Sequence, residues 1–104
     1  MTYTISYDAK TRNIGFNGLE SVTEGDTHSN ILILSKNDLD GLTEGYDAYC
    51  VFDDGTRIRF EDDRVVLPDF KDKRKVFIQL CFEKEGEKFY SLNILVLRVK
   101  RAII

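Results

Sequence analysis

Apolar residues recur in this chain at every second position, in short runs separated by turn residues, and no ten-residue segment carries a clear 3.6-residue apolar period. That spacing suits strands, whose successive side chains point to opposite faces, and not helices. Thr2–Tyr7 sets Tyr3, Ile5 and Tyr7 against Thr2, Thr4 and Ser6. The turn-rich stretch Asp8–Asn13 leads on to Ile14 and Phe16 at a spacing of two, so the first two elements read as a hairpin. Asn30–Lys36 is an apolar run too short for a helix, and Tyr46–Asp53 is rich in aromatic and branched residues. Asp54-Gly55 then separates two alternating segments, the strongest hairpin signal present, with Ile58 and Phe60 directed inward and Arg57 and Arg59 outward. Arg64–Leu67 ends at the only proline, Pro68, and Lys75–Glu83 and Lys88–Lys100 form a second, longer hairpin across Lys84–Glu87. The pattern predicts an all-β fold, an antiparallel immunoglobulin-like β-sandwich of about 7–8 strands. With 104 residues, the chain is expected to form one domain over 1–104. Asn17–Ser29 and Asn37–Gly45 are its longest loops, expected at the ends of the sandwich where contacts are made.

The last strand is unusual in being apolar on both sides, with Leu92, Ile94 and Val96 on one and Leu95, Leu97 and Val99 on the other. Such a strand is covered on both faces. A sandwich core covers one; the other, with the closing Ile103-Ile104, is covered by a loop of the same chain or by a second copy or larger assembly. The expected partner interface is Leu95, Leu97, Val99, Arg101, Ile103 and Ile104, beside a basic rim of Arg98, Lys100 and Arg101. On this reading Leu95→Asp, or removal of Ala102–Ile104, abolishes assembly and leaves a folded monomer.

Fifteen Lys and Arg against eighteen Asp and Glu give a net charge of −3, so the basic face needed to neutralise phosphates is missing and nucleic acid is not an expected partner. No apolar stretch approaches the roughly 20 residues of a bilayer span, and the N-terminus lacks the positive flank and apolar run of a signal peptide. A membrane partner is not expected, and synthesis is expected in the cytoplasm. Cys50 and Cys81 lack metal-ligand or redox spacing and read as reduced, buried, small apolar residues.

Catalytic chemistry finds little support. His28 is the only histidine, and Asp26, His28 and Ser29 lie too close on one turn to form a relay. The acidic groups Glu61-Asp62-Asp63 and Asp53-Asp54 lack calcium-loop spacing and suit turns instead. Tyr46, Tyr49, Phe89 and Tyr90 could form a stacking platform for sugars or bases, but alternation puts Tyr46 opposite Tyr49 and Phe89 opposite Tyr90, which favours use in the core. The expectation is a protein that is not an enzyme, with no cofactor and no metal site.

The run Val22-Thr23-Glu24-Gly25-Asp26-Thr27-His28-Ser29-Asn30-Ile31-Leu32-Ile33-Leu34, followed by Asp40-Gly41-Leu42, resembles the N-terminal β-sandwich domain of bacteriophage tail and baseplate proteins of the baseplate upper protein type. Val66-Leu67-Pro68 and the paired Val76–Phe82 and Phe89–Val99 segments follow in the same order. In that family the sandwich anchors a fibre or receptor-binding chain to the virion by packing against itself and its neighbours. Here the sequence ends where the sandwich ends, which the resemblance makes compatible with capsid decoration, a collar or a small baseplate or fibre adaptor. The resemblance thus implies a virion structural protein made in the bacterial cytoplasm, with other virion proteins or itself as partners. Two alternatives stand beside it: an inhibitor that binds a basic host enzyme through Glu61–Asp63 and Asp38–Glu44, and a carbohydrate-binding module that needs two tyrosines exposed together.

Overall fold

The computed structural model describes residues 2–17, 21–23, 30–70 and 73–100, whose regular elements are all strands. They are β1 (Thr2–Asp8), β2 (Asn13–Asn17), β3 (Ser21–Thr23), β4 (Ile31–Asn37), β5 (Asp47–Phe52), β6 (Arg57–Arg59), β7 (Arg64–Val66), β8 (Lys75–Lys84), β9 (Glu87–Tyr90) and β10 (Leu95–Lys100). One sheet runs β2-β1-β4-β7; the other runs β3-β10-β8-β5-β6, with β9 also paired to β8. Together they form a β-sandwich with a shared apolar core, as the alternation predicts.

The inward set of each strand follows from its period. Ile5 and Tyr7 of β1 lie beside Leu34 of β4 and Ile14 of β2, and from the opposite sheet β8 contributes Val76, Ile78, Leu80 and Phe82, all buried. Phe82 sits at the centre, its ring 4.7 Å from that of Tyr7 and 5.2 Å from that of Phe89, on which it stacks. Tyr7 crosses the core and brings its hydroxyl beside Arg12, with no well-aligned hydrogen bond among the described residues. Burial raises its pKa above the ordinary phenol range, opposed by the Arg12 charge. Because a buried hydroxyl without a well-aligned partner costs free energy, Tyr7→Phe is expected to leave stability unchanged or raise it by up to about 1 kcal/mol, as read from urea unfolding.

Turn chemistry fixes the hairpins. Gly55 has φ +90° at the β5–β6 turn, and Glu85 and Gly86 both take positive φ between β8 and β9, the twist that suits a two-residue hairpin. The Glu61–Arg64 bridge encloses Asp62 and Asp63, also both at positive φ. That acidic cluster is a tight turn, as its composition suggests.

Three features depart from the expectation. The described residues form ten strands, one of them the three-residue β3, which is too short to show alternation and is held by pairing with β10. Two of the pairings, β1 with β4 and β3 with β10, are parallel, so the sandwich is not wholly antiparallel. The segment expected as one strand over Lys88–Lys100 is broken between β9 and β10, and both halves pair along the same side of β8.

Two polar residues account for the break. The amide of Leu80 donates to Ser91 Oγ (3.1 Å), and the Ser91 amide donates to the Leu80 carbonyl (2.9 Å). The Asn93 side chain then reaches the other sheet. Its Oδ1 accepts from the Ile14 amide and its Nδ2 donates to the Ile14 carbonyl, both at 2.7 Å, so it serves the edge of β2 as a neighbouring strand would.

The register also corrects the expected partner interface. Leu95 pairs with Ile78 and Leu97 with Val76, which puts Leu95, Leu97 and Val99 on the core side. Leu97 and Val99 are buried and Leu95 packs against the core, so none of them offers a surface to a partner. Both faces of this strand are apolar, and its own periodicity therefore could not choose between them; the register with β8 does. Leu95→Asp would place a charge against the core and unfold the monomer. Arg101, Ile103 and Ile104 lie outside the described residues.

Candidate interaction surface

The side of β10 that faces outward carries Val96, and it continues an apolar stripe across the six-stranded sheet. Val96 pairs with Phe77 on β8, and Val51 on β5 pairs with Gln79. Leu92 and Ile94, from the break before β10, extend the stripe and are 66% and 55% exposed. Between Val51, Phe77, Gln79 and Ile94 lies a shallow dent of about 90 Å³, with Asp53 at its rim, whose Oδ1 accepts from the Phe77 amide at 3.3 Å. A dent of this size takes a side chain and not a cofactor.

Charged residues frame the stripe. At one end Arg57 pairs with Glu83, Arg59 with Asp47 at 3.0 Å and Lys88 with Glu83 at 3.5 Å. At the other end the outward-facing residues are Lys75, Arg98 and Lys100, all exposed. Among the described residues this face therefore carries six cations against the three carboxylates Asp47, Asp53 and Glu83, although the chain as a whole is acidic.

Tyr49 and Tyr90 are the cross-strand neighbours of Cys81, which is buried although it points outward. Arg57 lies over the Tyr49 ring at 4.4 Å. Tyr46 and Phe89 instead pack against the core in an edge contact at 5.2 Å. The expected opposition of Tyr46 to Tyr49 and of Phe89 to Tyr90 thus holds, and the four rings form no common platform. Cys50 points into the core, where burial pushes its thiol up to about 12; burial also raises the pKa of Cys81. Both thiols are free, and they occupy opposite faces of the sheet.

A second exposed apolar feature lies in the loop between β4 and β5. The Asp38 carboxylate accepts from the amides of Leu42 (2.7 Å) and Thr43 (2.8 Å) and from the Thr43 hydroxyl (2.5 Å), which closes the loop into a fixed turn. Closure leaves Leu39 96% exposed and Leu42 half exposed, with Asp40 and Glu44 beside them in solvent. The hydrogen bond from the Thr43 hydroxyl holds the Asp38 carboxyl below its usual range. At the β5–β6 turn the Thr56 amide, then the Thr56 hydroxyl and Lys73, hold Asp54 at about 2. A carboxyl whose pKa is lower in the folded state stabilises the fold above its unfolded value, near 3.9, and loses that contribution as pH falls through the folded value. The urea midpoint is therefore expected to hold above about pH 5 and to fall between about pH 4 and 2. Asp54→Asn is expected to flatten that decline, as denaturation at pH 5, 4, 3 and 2 would reveal.

The other residues singled out from the sequence do not converge. Asp26, His28 and Ser29 lie outside the described residues. Asp54 serves the β5–β6 turn by accepting from the Thr56 amide, and Asp53 accepts from the Phe77 amide of β8. Among the described residues no three His, Cys, Asp or Glu side chains are grouped as a metal site.

No protein-family profile and no curated protein matches the sequence. Among solved structures, the chain is similar to the N-terminal domain of ORF48 of phage TP901-1. That likeness covers 96% of this chain and 99% of that one, with a TM-score of 0.59 and 14% sequence identity. At that identity it is a likeness of fold, and it extends over nearly the whole of both chains.

Proposed function

We propose that this chain is a non-enzymatic structural component of a bacteriophage particle, of the tail or baseplate type, that joins other particle proteins through its surface. The carrying observation is the near-complete fold likeness to a domain from a phage protein. The resemblance noted in the run Val22–Leu34 with Asp40-Gly41-Leu42 agrees with the same source. An outward apolar stripe and an exposed leucine loop suit a module that works by contact. Fold alone is a weak guide to function, so the test is physical association. Particles purified from an infection or induced lysogen that encodes the chain are digested and analysed by mass spectrometry. The protein is expected at a fixed ratio to the other particle proteins; presence only in the cleared lysate would overturn the reading.

A second reading, an inhibitor of a host enzyme, draws on Leu39, whose side chain stands almost fully in solvent. It would use Asp40, Glu44 and the exposed side chains of Glu61–Asp63, since Asp38 is occupied within its own loop. Salt-sensitive 1:1 binding to a basic host protein, with none of the chain in purified particles, would favour it.

A further inference from the structure

The geometry points to head-to-tail self-association, in which the Leu39–Leu42 loop of one copy docks on the stripe and dent around Phe77 and Ile94 of the next. This goes beyond the virion reading and stands on the surface alone, so the two can fail separately.

The two surfaces complement one another in shape and charge. The loop is an apolar knob, with Leu39 at 96% exposure and Leu42 beside it, flanked by the carboxylates of Asp40 and Glu44. The dent between Val51, Phe77, Gln79 and Ile94 is apolar and of side-chain size. Lys75, Arg98 and Lys100 stand along the stripe with no ion pair among the described residues. An acidic apolar knob therefore meets an apolar dent in the cationic face of an otherwise acidic molecule. Asp53 at the dent's rim keeps its charge and opposes the match, but Lys75, Arg98 and Lys100 outnumber it on this face.

Within one copy the knob cannot reach the dent. The loop joins the start of β5 and the dent lies at its end, and from Asp47 to Val51 the strand spans about 13 Å. Asp38 pins the loop by three hydrogen bonds, and the Ala9 amide, donating to the Asn37 carbonyl, holds its base to β1. The knob and the dent are different patches, so pairing them is heterologous and each added copy exposes both again. One loop buries well below the roughly 800 Å² per partner of a stable interface. Association is therefore weak, with mass rising over roughly 10–1,000 µM.

Sedimentation velocity of the full chain across that range provides the test, with Leu39→Asp, which blunts the knob, and Ile94→Asp, which spoils the dent. Each variant is checked for a native thermal transition, and Val96→Glu replaces Ile94→Asp if the latter fails to fold. The wild type is expected to grow in mass with concentration, while each variant stays monomeric. A mixture of the two is expected to give a discrete 1:1 dimer that grows no further, because one supplies an intact knob and the other an intact dent. A wild type that stays monomeric throughout would overturn the proposal. Growth that survives Leu39→Asp would also overturn it, by removing the loop from the interface. A mixture that remains monomeric would do so too, by pointing to two copies of the same face meeting each other.

Discussion

Phe82→Ala is expected to lower the unfolding free energy by about 3–5 kcal/mol. Phe82 is wholly buried on β8, tilted against Tyr7 of the facing sheet and stacked on Phe89 of its own. Truncation removes the ring's transfer free energy and leaves a cavity between partners held on β1 and β9, which cannot close over it without moving a sheet. A domain of this size has about 5–15 kcal/mol of stability, so the variant would be marginal at room temperature. Urea unfolding followed by tyrosine fluorescence is the measurement, with Phe82→Leu expected to retain most of the loss-free signal. A cost below about 1 kcal/mol for the alanine variant would mean that the two sheets do not meet at this ring.

Asn93→Ala is expected to cost about 2–3 kcal/mol although it removes only a part-buried polar side chain. Asn93 supplies both an acceptor and a donor to the Ile14 backbone, and without it the amide and carbonyl at the edge of β2 lose their partner together. Leaving such groups unsatisfied costs more than an ordinary hydrogen bond contributes. Asn93→Asp keeps the acceptor and loses the donor, so an intermediate cost is expected. Hydrogen exchange at the Ile14 amide gives a local readout: faster in Asn93→Ala by more than in Asn93→Asp. Equal rates in all three proteins would show that this clamp does not hold the end of the sandwich.

These two residues also mark how much of the molecule was legible in its sequence. Phe82 belongs to Lys75–Glu83, which reads from the sequence as one strand of a hairpin, and the same kind of pattern marks β1, β2, β4, β5 and the Asp54-Gly55 turn. Periodicity has nothing to say where both sets are apolar. In β10 and the residues before it the register with β8, and not the period, sends Leu92, Ile94 and Val96 outward and turns Leu95, Leu97 and Val99 to the core. Ser91 and Asn93 were the signal that the long last strand breaks, as polar residues inside an apolar run. Their meaning depends on Leu80 and Ile14, remote in sequence. The parallel pairings were illegible for the same reason: they are decided by which edges remain open once the hairpins have closed. The knob at Leu39 could be placed in a loop, but its exposure depends on the way Asp38 and Thr43 close that loop.

The parallel pairing of β3 with β10 has a consequence for how the molecule acquires its shape. Ser21 lies opposite Arg98, so closing this contact joins points separated by roughly 75 residues, while the β5–β6 and β8–β9 hairpins close across a few. Hairpins form in about 1–10 µs, whereas topologies dominated by distant pairings complete folding in milliseconds to seconds. On a ribosome that releases the N-terminal strands first, β3 waits until β4 to β9 have been made before its partner exists. The edge of the six-stranded sheet is thus sealed late, and the nascent chain must keep Val22 from other strands until β10 has emerged.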